Sequence, residues 1–247
     1  MGETTVLFHV SDLHFGDEDR GALDWFAAEV AGQRPAAVLC TGDLTMRGTA
    51  REFAAAEEYL RALPVPVSMV PGNHDVPYYY SMLRRLTRPF ARYLALEQAI
   101  ESELLLGDVA VVPLDTVAAA QWRLNWSKGR VTPGGLDTTL TELAALADKP
   151  LRLVTCHHPL TDAATRSSGS TRGGRRALVA LAKAGADAVL SGHVHDPFDL
   201  TLDAEGRTIR MIGAGTLSQR LRATRPSFNR LEWSAAAGLK VDVQAMV

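Results

Sequence analysis

The sequence predicts an α/β layered sandwich with mixed sheets. Three observations carry that expectation. Short apolar runs alternate with amphipathic helical patterns over the first two-thirds of the chain. The remainder reads as strands alone, and polar residues able to hold metal or protons recur just past the apolar runs. Alternating β and α units build sheets covered by helices, with a β-rich tail adding further strands. A chain of 247 residues is long enough for one such domain over 1–247. No repeat, low-complexity tract or linker divides it.

In order, Val6–Val10 reads as a strand and Ala22–Ala31 as a helix with Leu23, Phe26, Ala27 and Val30 on one face. Ala37–Cys40 is the next strand, and Glu52–Leu63 a helix with Phe53, Ala56, Leu60 and Leu63 at helical spacing. Val65–Val70 is a buried strand that stops at Pro71-Gly72. A helical region from about Tyr79 to Glu101 follows, broken near Pro89, where the ring removes a donor and clashes with the preceding turn. It forms a cap-like insertion over about 77–105. Val109–Leu114 is a strand, Thr138–Ala147 a helix, Leu151–Thr155 a strand, Arg175–Ala184 a helix and Ala188–Ser191 a strand. Phe198–Leu202, Thr208–Ile212, Phe228–Trp233 and Leu239–Val243 then read as a meander with turns at 203–206 and 235–238.

Composition removes several function classes. A net charge of −2 gives no footprint for a nucleic-acid polymer or an anionic membrane. Two cysteines, Cys40 and Cys156, each close an apolar run and read as buried thiols of a reducing compartment. The first ten residues lack the basic and apolar regions of a signal peptide. No stretch approaches the roughly 20 apolar residues of a membrane span. The expectation is a cytoplasmic protein without stable membrane insertion.

Five strand ends carry the chemistry. The first runs into Ser11-Asp12-Leu13-His14, the second into Thr41-Gly42-Asp43 and the third into Gly72-Asn73-His74-Asp75. The strand 151–155 runs into Cys156-His157-His158-Pro159, and 188–191 into Gly192-His193-Val194-His195. Six of the seven histidines lie in these segments, the exception being His9 inside the first strand. In open α/β sheets, ligands bind outside the C-terminal strand ends. Imidazole and carboxylate together suit borderline divalent ions such as Zn, Mn and Fe(II). The Asp-x-His and His-x-His pairs share one face if their backbone is extended. Asp43, following Gly42, is able to bridge two ions, and two ions about 3.5–4 Å apart clamp a phosphoryl group. Two divalent ions bring +4 against −2 from Asp12 and Asp43, so the site attracts phosphate oxygens. Each motif alone also reads as a turn, a helix cap or a satisfied polar group; their conjunction at strand ends favours one site.

The series D-x-H, G-D, G-N-H-[DE], H-x-P and G-H-x-H, intact from Asp12 to His195, resembles the calcineurin-like metallophosphoesterases. The resemblance implies a four-layer α/β/β/α sandwich of two mixed sheets flanked by helices. It implies two divalent ions (Mn, Fe or Zn), one held by Asp12, His14, Asp43 and His195. The other would be held by Asp43, Asn73, His157 and His193, with His157 chosen over His158. By the same resemblance a metal-bridging hydroxide attacks phosphorus in line. Asn73 orients the phosphate and His74 serves the leaving-group oxygen as hydrogen-bond or proton donor. Asp75 is expected to fix the His74 tautomer or to stabilise the turn.

The chain departs from the Ser/Thr protein phosphatase pattern at Met46 and Asp75 and looks closer to a bacterial branch containing class III cyclic-nucleotide phosphodiesterases. Small organic or cyclic-nucleotide phosphodiesters are therefore the expected substrates, with no nucleic-acid polymer. A UDP-2,3-diacylglucosamine-type pyrophosphatase is the alternative, its acyl cap built from Leu83, Leu86, Phe90, Tyr93 and Leu94. A non-catalytic scaffold of the same fold would have lost ligands that are all present here. Arg47, Tyr78, Thr216 and Arg220 are candidate substrate contacts. Arg166, Arg172, Arg175 and Arg176, in the loop 161–176, are able to meet an anion, but a solvated loop leading into a helix is the favoured reading.

Overall fold

The computed structural model describes residues 4–77, 82–118, 127–163, 165 and 171–247. Its elements are β1 (Thr5–Val10), α1 (Arg20–Gln33), β2 (Ala37–Cys40), α2 (Ala50–Ala62), β3 (Val67–Met69), α3 (Met82–Thr87) and α4 (Ala91–Ile100). Next come β4 (Val109–Pro113), α5 (Pro133–Ala145), β5 (Leu151–Thr155), α6 (Gly174–Lys183) and β6 (Ala188–Ser191). The chain closes with β7 (Phe198–Asp203), β8 (Thr208–Gly213), β9 (Ser227–Ser234) and β10 (Gly238–Ala245).

Two five-stranded mixed sheets result, in orders β10-β9-β1-β2-β3 and β4-β5-β6-β8-β7. In the first, β1, β2 and β3 are parallel and β9 runs antiparallel to β1. In the second, β4, β5, β6 and β8 are parallel and only β7 is reversed. The expected terminal meander is therefore corrected. β7 and β8 complete the second sheet, whereas the β9–β10 hairpin crosses to the first. Because β8 is parallel to β6, its C-terminal end, and the loop after Gly213, emerge at the same sheet edge as His193 and His195.

Alternation along each strand explains the layers. Phe8 and Val10 of β1 pack outward with Phe26, Val30, Phe53 and Leu60 of α1 and α2. Leu7 faces inward, meeting Leu39, Leu153, Leu190, Ile212 and Leu231 between the sheets. Val112, Val154 and Met211 turn to Leu143, Leu178 and Leu181 of α5 and α6. The order α/β/β/α is thus built by period-2 strands that are apolar on both faces. Caps place the helix starts earlier than the apolar pattern does. Asp19 accepts from Ala22 N, Thr49 and Glu52 form a capping box, and Thr132 accepts from Gly135 N ahead of Pro133. The break near Pro89 falls between α3 and α4. Among the described residues no helix is long and apolar enough to cross a membrane.

Candidate metal centre

Asp12, His14, Asp43, Asn73, His157, His193 and His195 follow β1, β2, β3, β5 and β6, all at the C-terminal edges of parallel strands. The sequence led to the expectation that Asp12/His14 and His193/His195 share a face through extended backbone; the structure corrects this, since none of the four is extended. Asp12 (φ 57°), His14 (φ 47°), Asp43 (φ 53°), His193 (φ 71°) and His195 (φ 61°) are all left-handed. They are five of the seven non-glycine residues at positive φ among those described. Such strain gathers at functional sites. The turns are tight because glycines let backbones touch. A Cβ on Gly72 would lie 2.1 Å from Asp43 N and Oδ1, and one on Gly192 would lie 1.7 Å from Ser11 Oγ.

Hydrogen bonds fix the imidazoles. His14 Nδ1 lies 3.3 Å from Thr45 O, His157 Nδ1 2.7 Å from Thr41 O, and His195 Nδ1 2.7 Å from Arg220 O. A carbonyl only accepts, so Nδ1 carries the hydrogen and each neutral ring turns an Nε2 lone pair inward. Those lone pairs meet other acceptors. His14 Nε2 is 3.3 Å from His195 Nε2. Asp12 Oδ1 is 3.1 Å from His195 Nε2 and 3.6 Å from His14 Nε2. Among the described residues Asp12 Oδ1 is buried with no hydrogen-bond partner. Asp43 Oδ2 stands 3.8 Å from His14 Nε2 and 3.3 Å from His157 Nε2, and Asn73 Oδ1 is 3.2 Å from His157 Nε2.

Ligand atoms about 2.0–2.2 Å from one ion stand roughly 2.9–3.6 Å apart. The donor set therefore fits a binuclear metal site, its clusters being Asp12/His14/His195, Asp12/Asp43/His157 and His157/His158/His193. Burial opposes the charged ring, but the Asp43 and Asp12 carboxylates push His157 up to about 9. Burial alone would raise Asp43, yet His157, His74 and His14 hold it far below the usual carboxylate range.

The remaining residues sort by their contacts. His193 N donates to Asp12 Oδ2 at 2.9 Å, and its ring stands 5.2 Å, centroid to centroid, from that of His157. Burial and the neighbouring His157 push His193 down to about 3, leaving it neutral. A ring nitrogen of His158 also lies within 4.8 Å of ligand atoms on His157 and His193. Both its nitrogens are engaged, however, at 3.1 Å by Thr116 Oγ1 and 2.9 Å by Ser127 O. His74, half-buried, has its Nδ1 2.7 Å from Met46 O, and Nε2 accepts from Arg220 Nη1 at 3.2 Å.

Two expectations need correction, those for Thr216 and Tyr93, and of the two roles open to Asp75 its contacts support the turn. The carbonyl of Met46 meets His74 Nδ1. Asp75 instead accepts from Leu44 N, Thr45 N, Thr45 Oγ1 and Gly72 N at 2.8–3.2 Å, binding the Gly42-Asp43 turn to the Asn73-His74 turn. Thr216 is buried, its hydroxyl 2.7 Å from both Asp12 O and Ser218 Oγ, and so faces the loop after Asp12 rather than a substrate. Tyr93, named for an acyl cap, is buried with its hydroxyl 2.9 Å from Met69 O. Arg47 is exposed, Arg172, Arg175 and Arg176 are exposed, and Tyr78 and Arg166 lie outside the described residues.

Sequence reasoning passed over Thr41, Thr45 and Asp196. Asp196 accepts from Ala223 N at 2.9 Å and anchors the loop that carries Arg220. Its place directly after His195 was the available signal.

Residues 5–197 match the profile of the calcineurin-like phosphoesterase family. A glycerophosphodiester phosphodiesterase GpdQ from Enterobacter lignolyticus is 37% identical over 81 residues, 28% of this chain and 29% of that protein. A probable glycerophosphodiester phosphodiesterase GpdQ from Arcobacter nitrofigilis is 29% identical over 128 residues, 51% of this chain and 42% of that protein. The chain thus spans less than half the length of either curated relative it matches. A dimetal phosphatase from Danio rerio superposes with a TM-score of 0.68 at 13% identity, covering 98% of this chain and 99% of that one.

Proposed function

Because the chain belongs to the calcineurin-like phosphoesterase family, we propose that it is a di-metal hydrolase of small organic phosphodiesters, cyclic nucleotides among them. The observation that carries the reading is the set of buried acceptors turned on one another. His14 Nε2, His195 Nε2 and Asp12 Oδ1 converge within 3.1–3.6 Å of one another. Asp12, His14, Asp43 and His195 would hold one ion, and Asp43, Asn73, His157 and His193 the other. When bound, two divalent ions neutralise charge developing on the phosphoryl oxygens and lower the pKa of a coordinated water.

The protein's own groups do the rest. Asn73, beside His157, is placed to orient a phosphoryl oxygen through its amide. His74 turns Nε2 toward the space where a leaving-group oxygen would sit. That nitrogen accepts from Arg220 while Nδ1 holds the ring hydrogen against Met46 O, so Nε2 must first gain a proton, and Arg220 yield the contact, before His74 can donate there. The guanidinium then has donors for a non-bridging oxygen, a fork geometry suited to phosphate. The similarity to glycerophosphodiester phosphodiesterases supports diesters over monoesters.

The test is turnover of bis(p-nitrophenyl) phosphate, p-nitrophenyl phosphate and 3′,5′-cAMP by chain reconstituted with Mn, Fe, Co or Zn, with EDTA controls. Diester hydrolysis abolished by EDTA is expected, and Asp43→Ala should lose both ions. A metal-loaded chain that hydrolyses only the monoester overturns the diester reading. An Asp43→Ala variant retaining two ions per chain overturns the bridging assignment.

A further inference from the structure

Beneath the metal centre lies a polar layer with no role in the reaction sketched above. Leu7, Leu39, Ile212 and Leu231 fill the space between the sheets. One step toward the centre, the same strand faces present His9, fully buried, and its cross-strand neighbour Asn229. Asn229 Nδ2 is 2.9 Å from Gly213 O on the opposite sheet and 3.2 Å from His9 Nδ1. The carbonyl of Gly213 demands a donor, which fixes the amide's orientation and makes His9 Nδ1 an acceptor. The ring hydrogen is therefore on Nε2, which donates to Thr41 Oγ1 at 3.0 Å. Thr41 in turn offers its carbonyl to His157 Nδ1 at 2.7 Å. The path leaves the second sheet at Gly213, crosses the first through Asn229, His9 and Thr41, and returns to the second at His157.

An arrangement selected only for stability would not leave a member unpaired. Among the described residues Asn229 Oδ1 is buried with no hydrogen-bond partner, a cost that calls for an explanation. The centre itself supplies one. Each candidate half-site draws ligands from both sheets, so the sheets must be held in register directly below it.

We infer that His9 and Asn229 are positioning residues of the metal centre, holding Thr41 so that its carbonyl sets the His157 ring and with it the half-site of Asp43, Asn73, His157 and His193. The inference rests on the di-metal reading above. Partners that orient a ligating histidine typically contribute about 10–100-fold in metal affinity. His9→Ala should therefore keep the first ion at wild-type affinity and bind the second about 10–100-fold more weakly. His9→Gln, which keeps an N–H donor toward Thr41, should recover most of the loss. Thr41→Val, which removes the hydroxyl at constant shape, should reproduce the His9→Ala pattern and serves if His9→Ala fails to fold.

The experiment is stepwise Mn titration of EDTA-stripped chain by calorimetry. Electron paramagnetic resonance separates isolated from spin-coupled Mn, and thermal unfolding in EDTA serves as control. Selective weakening of the second ion, with the coupled signal lost before the isolated one, is the expected result. His9→Ala and Thr41→Val binding both ions as wild type overturn the inference alone, as does equal weakening of both ions in step with lowered thermal stability. A wild-type chain that takes up fewer than two ions overturns the di-metal reading and this inference with it.

Discussion

Substituting Gly72 by alanine tests the geometry of the centre most directly. The added Cβ would sit 2.1 Å from Asp43 N, 2.1 Å from Asp43 Oδ1 and 2.7 Å from Asp43 Cα. Ordinary carbon contacts begin near 3.5 Å, so the two turns must separate by about 1.4 Å, and the obstructing atoms are mainly backbone that no rotamer change can move. That separation breaks two 2.8 Å bonds that join the turns, from His74 N to Asp43 Oδ1 and from Thr45 N to Asp75 Oδ1. Two hydrogen bonds to charged acceptors contribute roughly 1.5–3 kcal/mol each, so unfolding free energy should fall by about 3–6 kcal/mol. A displacement of 1 Å at reacting groups costs about 100-fold in rate. Diester turnover should fall at least that far, with Mn stoichiometry reduced. Urea unfolding, metal content and steady-state rates on one preparation give all three numbers. A Gly72→Ala chain within threefold of wild-type turnover and within 1 kcal/mol in stability, on the same hydrogen-bond scale, refutes the close packing of the two turns.

Three further outcomes are expected. Asp75→Ala leaves the N–H groups of Leu44, Thr45 and Gly72 without acceptors and should cost about 3–5 kcal/mol. Asp75→Asn should cost less, since it keeps one carbonyl oxygen and relieves repulsion from Asp43; urea unfolding giving the reverse order would be decisive against this account. Burial, against the pull of Asp12, pushes His9 down to about 3. The unfolded chain thus binds a proton that the folded chain refuses below pH 6.5, and stability is lost as pH falls. His9 should account for about 2 kcal/mol of the loss between pH 7.5 and 5. His9→Gln in EDTA should flatten the acid limb by that amount, and parallel limbs would contradict it. His74→Ala should lower diester turnover by about two orders of magnitude with both ions retained. The loss should grow as the leaving group becomes a poorer one, and a loss independent of leaving group would remove His74 from its assigned place.

The candidate ligand positions were legible because they follow apolar runs that can only be strands. Val6–Val10, Ala37–Cys40, Leu151–Thr155 and Ala188–Ser191 match the observed strands to within a residue. α5 was placed five residues late, because its first turn, Pro133-Gly134-Gly135, carries no apolar signal and only Thr132 as cap marks the start. The crossing of the β9–β10 hairpin to the first sheet had no local signature at all. Strand pairing over more than two hundred residues, Thr5 opposite Trp233, is a property of the packed core rather than of any window of sequence.

What the sequence hid is the conformation of the ligands, and that conformation accounts for much of what surrounds them. Extended backbone would spread Asp12 and His14 about 6.6 Å apart along a line. The left-handed turns instead bend the backbone so that both reach one point, 3.6 Å from Nε2 to Oδ1. Left-handed geometry costs a non-glycine residue about 1–2 kcal/mol, and five such residues would unwind unless held. Each is held by a contact that looks incidental by itself. Thr216 Oγ1 grips Asp12 O, Thr45 O takes His14 Nδ1, and Asp12 Oδ2 takes His193 N. Asp75 pins the turn after Asp43, and Arg220 O takes His195 Nδ1. The buried polar residues that read as unrelated in sequence are therefore one restraint system, needed because the ligands occupy conformations their own side chains disfavour.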